Sequence, residues 1–185
     1  MINDLIRETE ARMQKTLENM EDDFRGIRTG RASPALVEKV SVDYYGAPTP
    51  LKQLAVISAP EPQLLVIRPY DVTSISTIEK GILQADLGLN PSNDGRVIRI
   101  PIPRLTEERR RELVKVIKRR VEEAKVALRN IRRDALEDMR SFESEKLISE
   151  DELKRGQDEL QKITDRYSEK IDTAGERKEH EIMEI

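Results

Sequence analysis

Apolar residues at Val114, Ile117, Val121, Ala124, Leu128, Ile131, Ala135 and Phe142 recur in steps of three and four, the last a double step. Only an α-helix brings positions with that spacing onto one side. The stripe predicts a helix of about 35 residues and about 50 Å, a rod that no globular core of its own can cover. Two more segments carry the same rhythm. The first runs through Leu5, Ile6, Met13, Leu17, Met20, Phe24 and Ile27, and the other through Leu153, Leu160, Ile163, Tyr167, Ile171 and Ala174. Three one-sided helices bury their stripes only against one another, so the expectation is an antiparallel three-helix bundle. Start signals agree with it. Thr106 before Glu107 and Glu108 suits the second helix, and Ser149 with Glu152 forms a capping-box pattern for the third. Gly156 inside the third stripe permits a close helix approach, whereas Gly175 is expected to kink or fray the end of that helix.

Between the first two helices the rhythm fails. The stretch RTGRASPALVEKV, from Arg28 to Val40, breaks the first stripe, and helical spacing returns only near Thr106. The intervening residues hold strand candidates at 40–45, 54–58, 64–68 and 97–102, rich in Val, Ile and Tyr. Tyr45-Gly46 and Asn93-Asp94-Gly95 are turn signals, and Pro60-Glu61-Pro62 reads as a loop. A helix is expected over 73–85, carrying Ile75, Ile78, Ile82 and Leu83. Tyr44 and Tyr45 read as a strand pair with one ring buried. The whole is therefore an α+β protein of two domains: residues 1–30 with 105–185 as the bundle, and 31–104 as an inserted small β/α/β domain. An inserted domain is entered and left once each, here through Thr29-Gly30-Arg31 and Pro101-Ile102-Pro103-Arg104.

Composition narrows the chemistry. The chain has no Cys and a single His, His180, set among charged residues near the carboxyl end. That leaves no thiolate nucleophile, no disulfide and no Cys-ligated metal, and no phosphate-loop spacing occurs. No cofactor, no metal and no catalytic cycle is called for. With no signal-peptide core and no apolar run of membrane-spanning length, the expectation is a cytoplasmic, non-enzymatic protein.

Charge is what remains. Overall it is −3, yet from Leu105 to Arg133 eleven basic residues face five acidic ones, which leaves +6 there and −9 elsewhere. Arg111, Lys118, Lys125 and Arg132 repeat every seven residues and line up on the helix, with Arg129 beside them. The line lies roughly 90° from the apolar stripe and runs for about 30 Å. One reading is a solvated flank that pairs with neighbouring helices. The other is a stripe that tracks phosphates, since arginine forks fit phosphate oxygens and a rigid rod presents several at once. A net negative remainder disfavours indiscriminate polyanion binding and suits one face reading one folded RNA.

Five stretches, IRTGRASPAL (27–36), VDYYGAPTPLKQLA (42–55), DLGLNPSNDG (86–95), PRLTEERRREL (103–113) and ALRNIRRDAL (127–136), together resemble the bacterial ribosome recycling factor family over essentially the full length. The resemblance implies an L-shaped, two-domain protein whose bundle lies along large-subunit ribosomal RNA. It implies that, with elongation factor G and GTP hydrolysed by that partner, the post-termination 70S ribosome is split into subunits and mRNA is released. Carried over, Arg110, Arg129 and Arg132 are the foremost RNA contacts, with Arg28 and Arg133 behind them; Arg111, Lys118 and Lys125 complete the stripe. The insert becomes a lever, with Thr29, Gly30, Arg31, Pro103 and Arg104 as its hinge and Gly30 supplying the backbone freedom. A monomer without membrane contact is expected. The competing class is a helical adaptor or chaperone that uses its seams for protein partners.

Overall fold

The computed structural model describes residues 1–184; Ile185, the last residue of the range assigned to the bundle, lies outside them. Two compact units divide the chain, Met1–Phe24 with the chain from Arg111 on, and Arg25–Arg110.

In the first unit, α1 (Ile2–Arg25), α3 (Glu107–Ser144) and α4 (Glu150–Met183) form a three-helix bundle. The pairing fixes their directions. Arg12 donates to Asp134 at 3.2 Å and Arg120 to Asp23 at 2.7 Å, so α1 and α3 run antiparallel. Lys125 reaches Asp172 at 2.6 Å, and Gly156 lies against Met139, so α3 and α4 are antiparallel too. Tyr167 donates to Glu10 at 3.3 Å, Arg166 pairs with the same carboxylate, and Gly156 lies against Ile2, so α4 runs parallel to α1. The buried stripes follow the sequence rhythm: Ile6, Met13, Leu17, Met20 and Phe24; Ile117, Ala124, Leu128, Ile131 and Ala135; Leu160, Ile163, Tyr167 and Ile171. Ile27 falls outside, because α1 stops at Arg25 in front of Gly26, a poor helix former. Phe142 is half-buried, and Met139 fills the core place before it.

Both predicted caps form. Arg109 donates its backbone N–H to Thr106 Oγ1 at 3.1 Å. Glu152 donates its N–H to Ser149 Oγ at 3.2 Å, while Ser149 N–H reaches Glu152 Oε2 at 2.7 Å. Gly175 departs from expectation. The helix continues through it, and a Cβ there would stand 2.6 Å from Val121 Cγ2, so its role is close approach of α4 to α3. No helix among the described residues is long and apolar enough to cross a membrane.

The second unit holds a hairpin of β1 (Ser41–Tyr44) and β2 (Ala47–Pro50), then β3 (Ala55–Glu61), β4 (Leu64–Pro69), α2 (Ile75–Gln84), β5 (Ser92–Asn93) and β6 (Ile98–Pro101). The last four strands form an antiparallel sheet in the order β3-β4-β6-β5. Alternation in β4 and β6 turns Leu65, Ile67, Ile98 and Ile100 inward, where they share a core with Val42, Leu51, Ile78 and Ile82. Gly81 lets α2 close on the hairpin: a Cβ there would lie 3.1 Å from Val42 Cγ2.

Four local readings change. β2 escaped notice because it carries Pro48 and Pro50, which only a strand with little need of donors accommodates. Tyr45 and Gly46 both have positive φ, 51° and 82°, as a two-residue hairpin turn requires. The turn sends Tyr45 outward, 83% exposed, and leaves Tyr44 half-buried with its ring edge-on at 4.6 Å, so neither ring is buried. Pro60 and Glu61 continue β3 beyond a register shift between Ser58 and Glu61, and the turn starts at Pro62. The expected helix over 73–85 opens as a 3-10 turn, Val72–Ser74, capped by Asp71 accepting from Thr73 N–H at 3.0 Å, and Leu83 faces solvent.

Candidate nucleic-acid interface

α3 is the element that carries the candidate site. At 38 residues it is about 57 Å long, and its positions 100° apart set which cations share a side. One flank faces α1 and uses its charge there: Arg120 is held by Asp23, and Asp134 by Arg12. The opposite flank holds the predicted stripe. Arg111 and Lys118 are exposed on it, and they line a groove of about 660 Å³ with Val114, Lys115, Glu179 and Met183. Lys125 is half-buried and paired with Asp172 at 2.6 Å. Arg129 is exposed and donates to Glu122 at 2.7 Å, one heptad back on the same line. Arg133 is exposed. Arg132 is half-buried at a hollow of about 230 Å³ shared with Leu136, Arg140, Gln157 and Leu160.

The line is thus brought together on one side of one helix, but its cations are not equivalent. Lys125 is held by α4, and an ammonium already committed at 2.6 Å has less to offer a phosphate. Arg129 is 61% exposed and its partner is equally open to water, so that pair is weak and exchangeable. Arg140, exposed, stands seven residues beyond Arg133, whereas the next heptad position of the stripe itself, seven beyond Arg132, is the buried Met139.

Arg110 and Arg28 belong to the second unit. Arg110, in the first turn of α3, is 8% exposed. That place was readable: it stands four before Val114 and seven before Ile117, on the apolar side and not on the basic one. Arg28 is half-buried, with Nη1 3.6 Å from where a side chain on Gly88 would begin.

The hinge candidates also lie in the second unit, since the divisions fall at Phe24/Arg25 and Arg110/Arg111. Thr29 is buried. Gly30 has φ 78°, and a Cβ on it would lie 3.3 Å from Leu105 N, so the entering and leaving segments run closely side by side. Ala32 N–H donates to Pro62 O at 2.6 Å and Ile102 N–H to Gln63 O at 2.8 Å, which ties both segments to the β3–β4 turn. Arg31, Pro103 and Arg104 are exposed.

No group of three His, Cys, Asp or Glu side chains among the described residues is arranged to hold a metal ion. His180 is exposed and lies 3.1 Å from Glu184. The site offers cations on a rigid rod, the chemistry of phosphate recognition.

Known proteins resemble this chain over its full length. The family model described as "Ribosome recycling factor" matches residues 20–183. The chain is 58% identical to the ribosome-recycling factor of Syntrophomonas wolfei, with all of both chains covered. It is also 58% identical to that of Chloroflexus aurantiacus, again over the full length of both. Among solved structures, a solution structure of the ribosome recycling factor is similar with a TM-score of 0.80 and 46% identity, covering 100% of this chain and 98% of that one. Another, the T. thermophilus ribosome recycling factor described with E. coli elongation factor G bound to the E. coli post-termination complex, is similar with a TM-score of 0.69 and 48% identity over both full lengths. This chain, an α+β protein with a three-helix bundle and a small sheet unit, belongs to the ribosome recycling factor family.

Proposed function

We propose that this chain acts with elongation factor G and GTP to split the post-termination 70S ribosome into subunits and release mRNA. The observation that carries the reading is full-length similarity, at 48% identity, to a chain described together with elongation factor G on the post-termination complex. The protein works as a cytoplasmic monomer and makes or breaks no bond itself; the GTPase supplies the energy. In this reading residues 1–30 and 105–185 are the rod, and the RNA-facing cations are Arg129, Arg132 and Arg133, with Arg111 and Lys118 further along. Phosphate oxygens take the place of Glu122 at Arg129, because a bidentate phosphate contact is stronger than an exposed ion pair. Residues 31–104 form the lever that the GTPase pushes, and the chain on either side of it, with Gly30 at φ 78°, accommodates the motion.

Light scattering of post-termination ribosomes tests this directly. Adding the protein with elongation factor G and GTP is expected to lower scattering as subunits separate, and omission of any one component abolishes the drop. Unchanged scattering with all three present overturns the proposal.

A further inference from the structure

The second unit carries an aromatic ring that its packing does not explain. At the tip of the β1–β2 hairpin, Tyr45 has φ 51°, in the left-handed region where a bulky side chain is strained, yet it is 83% exposed. Asparagine before glycine is what such a turn favours. Tyrosine here therefore forgoes turn stability and gains no burial. Tyr44 braces the ring edge-on at 4.6 Å, and Tyr45 lines a hollow of about 490 Å³ between the hairpin and α2. One face of α2 supplies the opposite wall: Ser76 and Thr77, then Lys80, then Gln84, each a turn further along, with Asp43 joining them from β1. Among the described residues, none of these five polar side chains is engaged in a hydrogen bond or ion pair with another protein group.

We propose that this hollow is a second nucleic-acid site, in which one unpaired RNA nucleotide stacks its base on Tyr45 and sets its phosphate at Lys80. It goes beyond the recycling reading, which places RNA on the bundle alone, and does not depend on the basic stripe of α3. An open π face stacks any base, and a paired duplex offers it none. The Gln84 amide and the Ser76 and Thr77 hydroxyls both donate and accept, as a base edge and a ribose require. Asp43, the one acidic group in the lining, repels a bare anion but accepts from an exocyclic amine or a 2′-hydroxyl. One cation and one carboxylate thus favour a ligand that brings donors as well as a negative charge.

Titration of the ¹⁵N-labelled full-length protein with single-stranded hexa-adenylate at low salt tests the site. The amides of Tyr45, Gly46, Thr77 and Lys80 are expected to shift, and to shift equally when Arg129→Glu and Arg132→Glu are present. Tyr45→Asn, which suits the turn, is expected to weaken this binding about tenfold without lowering the thermal unfolding midpoint. Adenosine monophosphate is expected to move the same amides about tenfold more weakly, and linear polyphosphate to leave them in place. Unmoved amides, unchanged affinity in Tyr45→Asn, equal affinity for the mononucleotide, or the same shifts with polyphosphate overturns the site. Shifts with an arginine-rich peptide in place of the oligonucleotide would assign the ring to a protein partner and overturn it as well. A failure of subunit splitting in light scattering overturns the recycling reading alone.

Discussion

Gly175 has its Cβ position 2.6 Å from Val121 Cγ2, and Gly156 faces Ile2 and Met139 side chains at 3.2–3.3 Å. Alanine gains about 1 kcal/mol of helix propensity at either site, so the sign of each substitution depends on whether the neighbour can yield. Val121 is β-branched, stiff and on the opposing helix, whereas Ile2 lies near the start of α1 and Met139 is an adaptable thioether. Gly175→Ala is therefore expected to destabilise by about 1–3 kcal/mol, read as a lower midpoint in thermal unfolding. Gly156→Ala is expected to leave that midpoint nearly unchanged. The difference was not legible in the sequence, where Gly156 reads as a close approach and Gly175 as a kink or frayed end, because it depends on which residue of the neighbouring helix stands opposite. Arg110 is the reverse case: its angular position among Val114 and Ile117 is a sequence property, and burial follows from it.

At the scale of elements, caps and turns decide where structure begins. The α4 box holds Glu152 as a carboxylate, its pKa lowered by bonds from the Ser149 backbone and hydroxyl. Ser149→Ala is expected to lower stability by about 1 kcal/mol in denaturant unfolding. In the β5–β6 hairpin, Asp94 accepts from Val97 N–H at 3.0 Å, from Arg99 at 2.8 Å and from Arg96 N–H at 2.9 Å. Those bonds, Val97's foremost, favour the ionised form and hold its pKa far below the ordinary aspartate range. A depressed folded pKa means that the stabilisation is complete above the unfolded value, about 3.9, and fades as pH falls through the folded one. A carbon-detected NMR titration is expected to show the Asp94 carboxylate still charged at about pH 3; a midpoint near the ordinary value would exclude this account. The long helices and the inward-facing strands β4 and β6 were legible because burial imposes a period on sequence. β2 and β5 were not: one is proline-bearing and the other two residues long, so neither has room for a period.

Over the whole molecule, any phosphate that meets the basic stripe competes with the protein's own acidic side chains for the same cations. Arg129→Glu with Arg132→Glu is expected to weaken large-subunit binding and flatten its salt dependence, since each lost phosphate contact removes about 0.7–0.9 from the slope of log affinity against log salt. Lys125→Met, which loses its Asp172 partner, is expected to change that slope far less and to lower the unfolding midpoint. Equal slopes for the two variants would show that α3 does not track phosphates. The division into units has one more consequence, and it concerns the order of assembly. The unit from Arg25 to Arg110 is continuous in sequence, while the bundle is split around it. During synthesis the first helix emerges early but its partners are made last, so its apolar stripe must wait through the whole insert for the helices that cover it. The insert, closed by nearby contacts, can be complete by then, with its own entering and leaving segments already adjacent at Gly30 and Leu105.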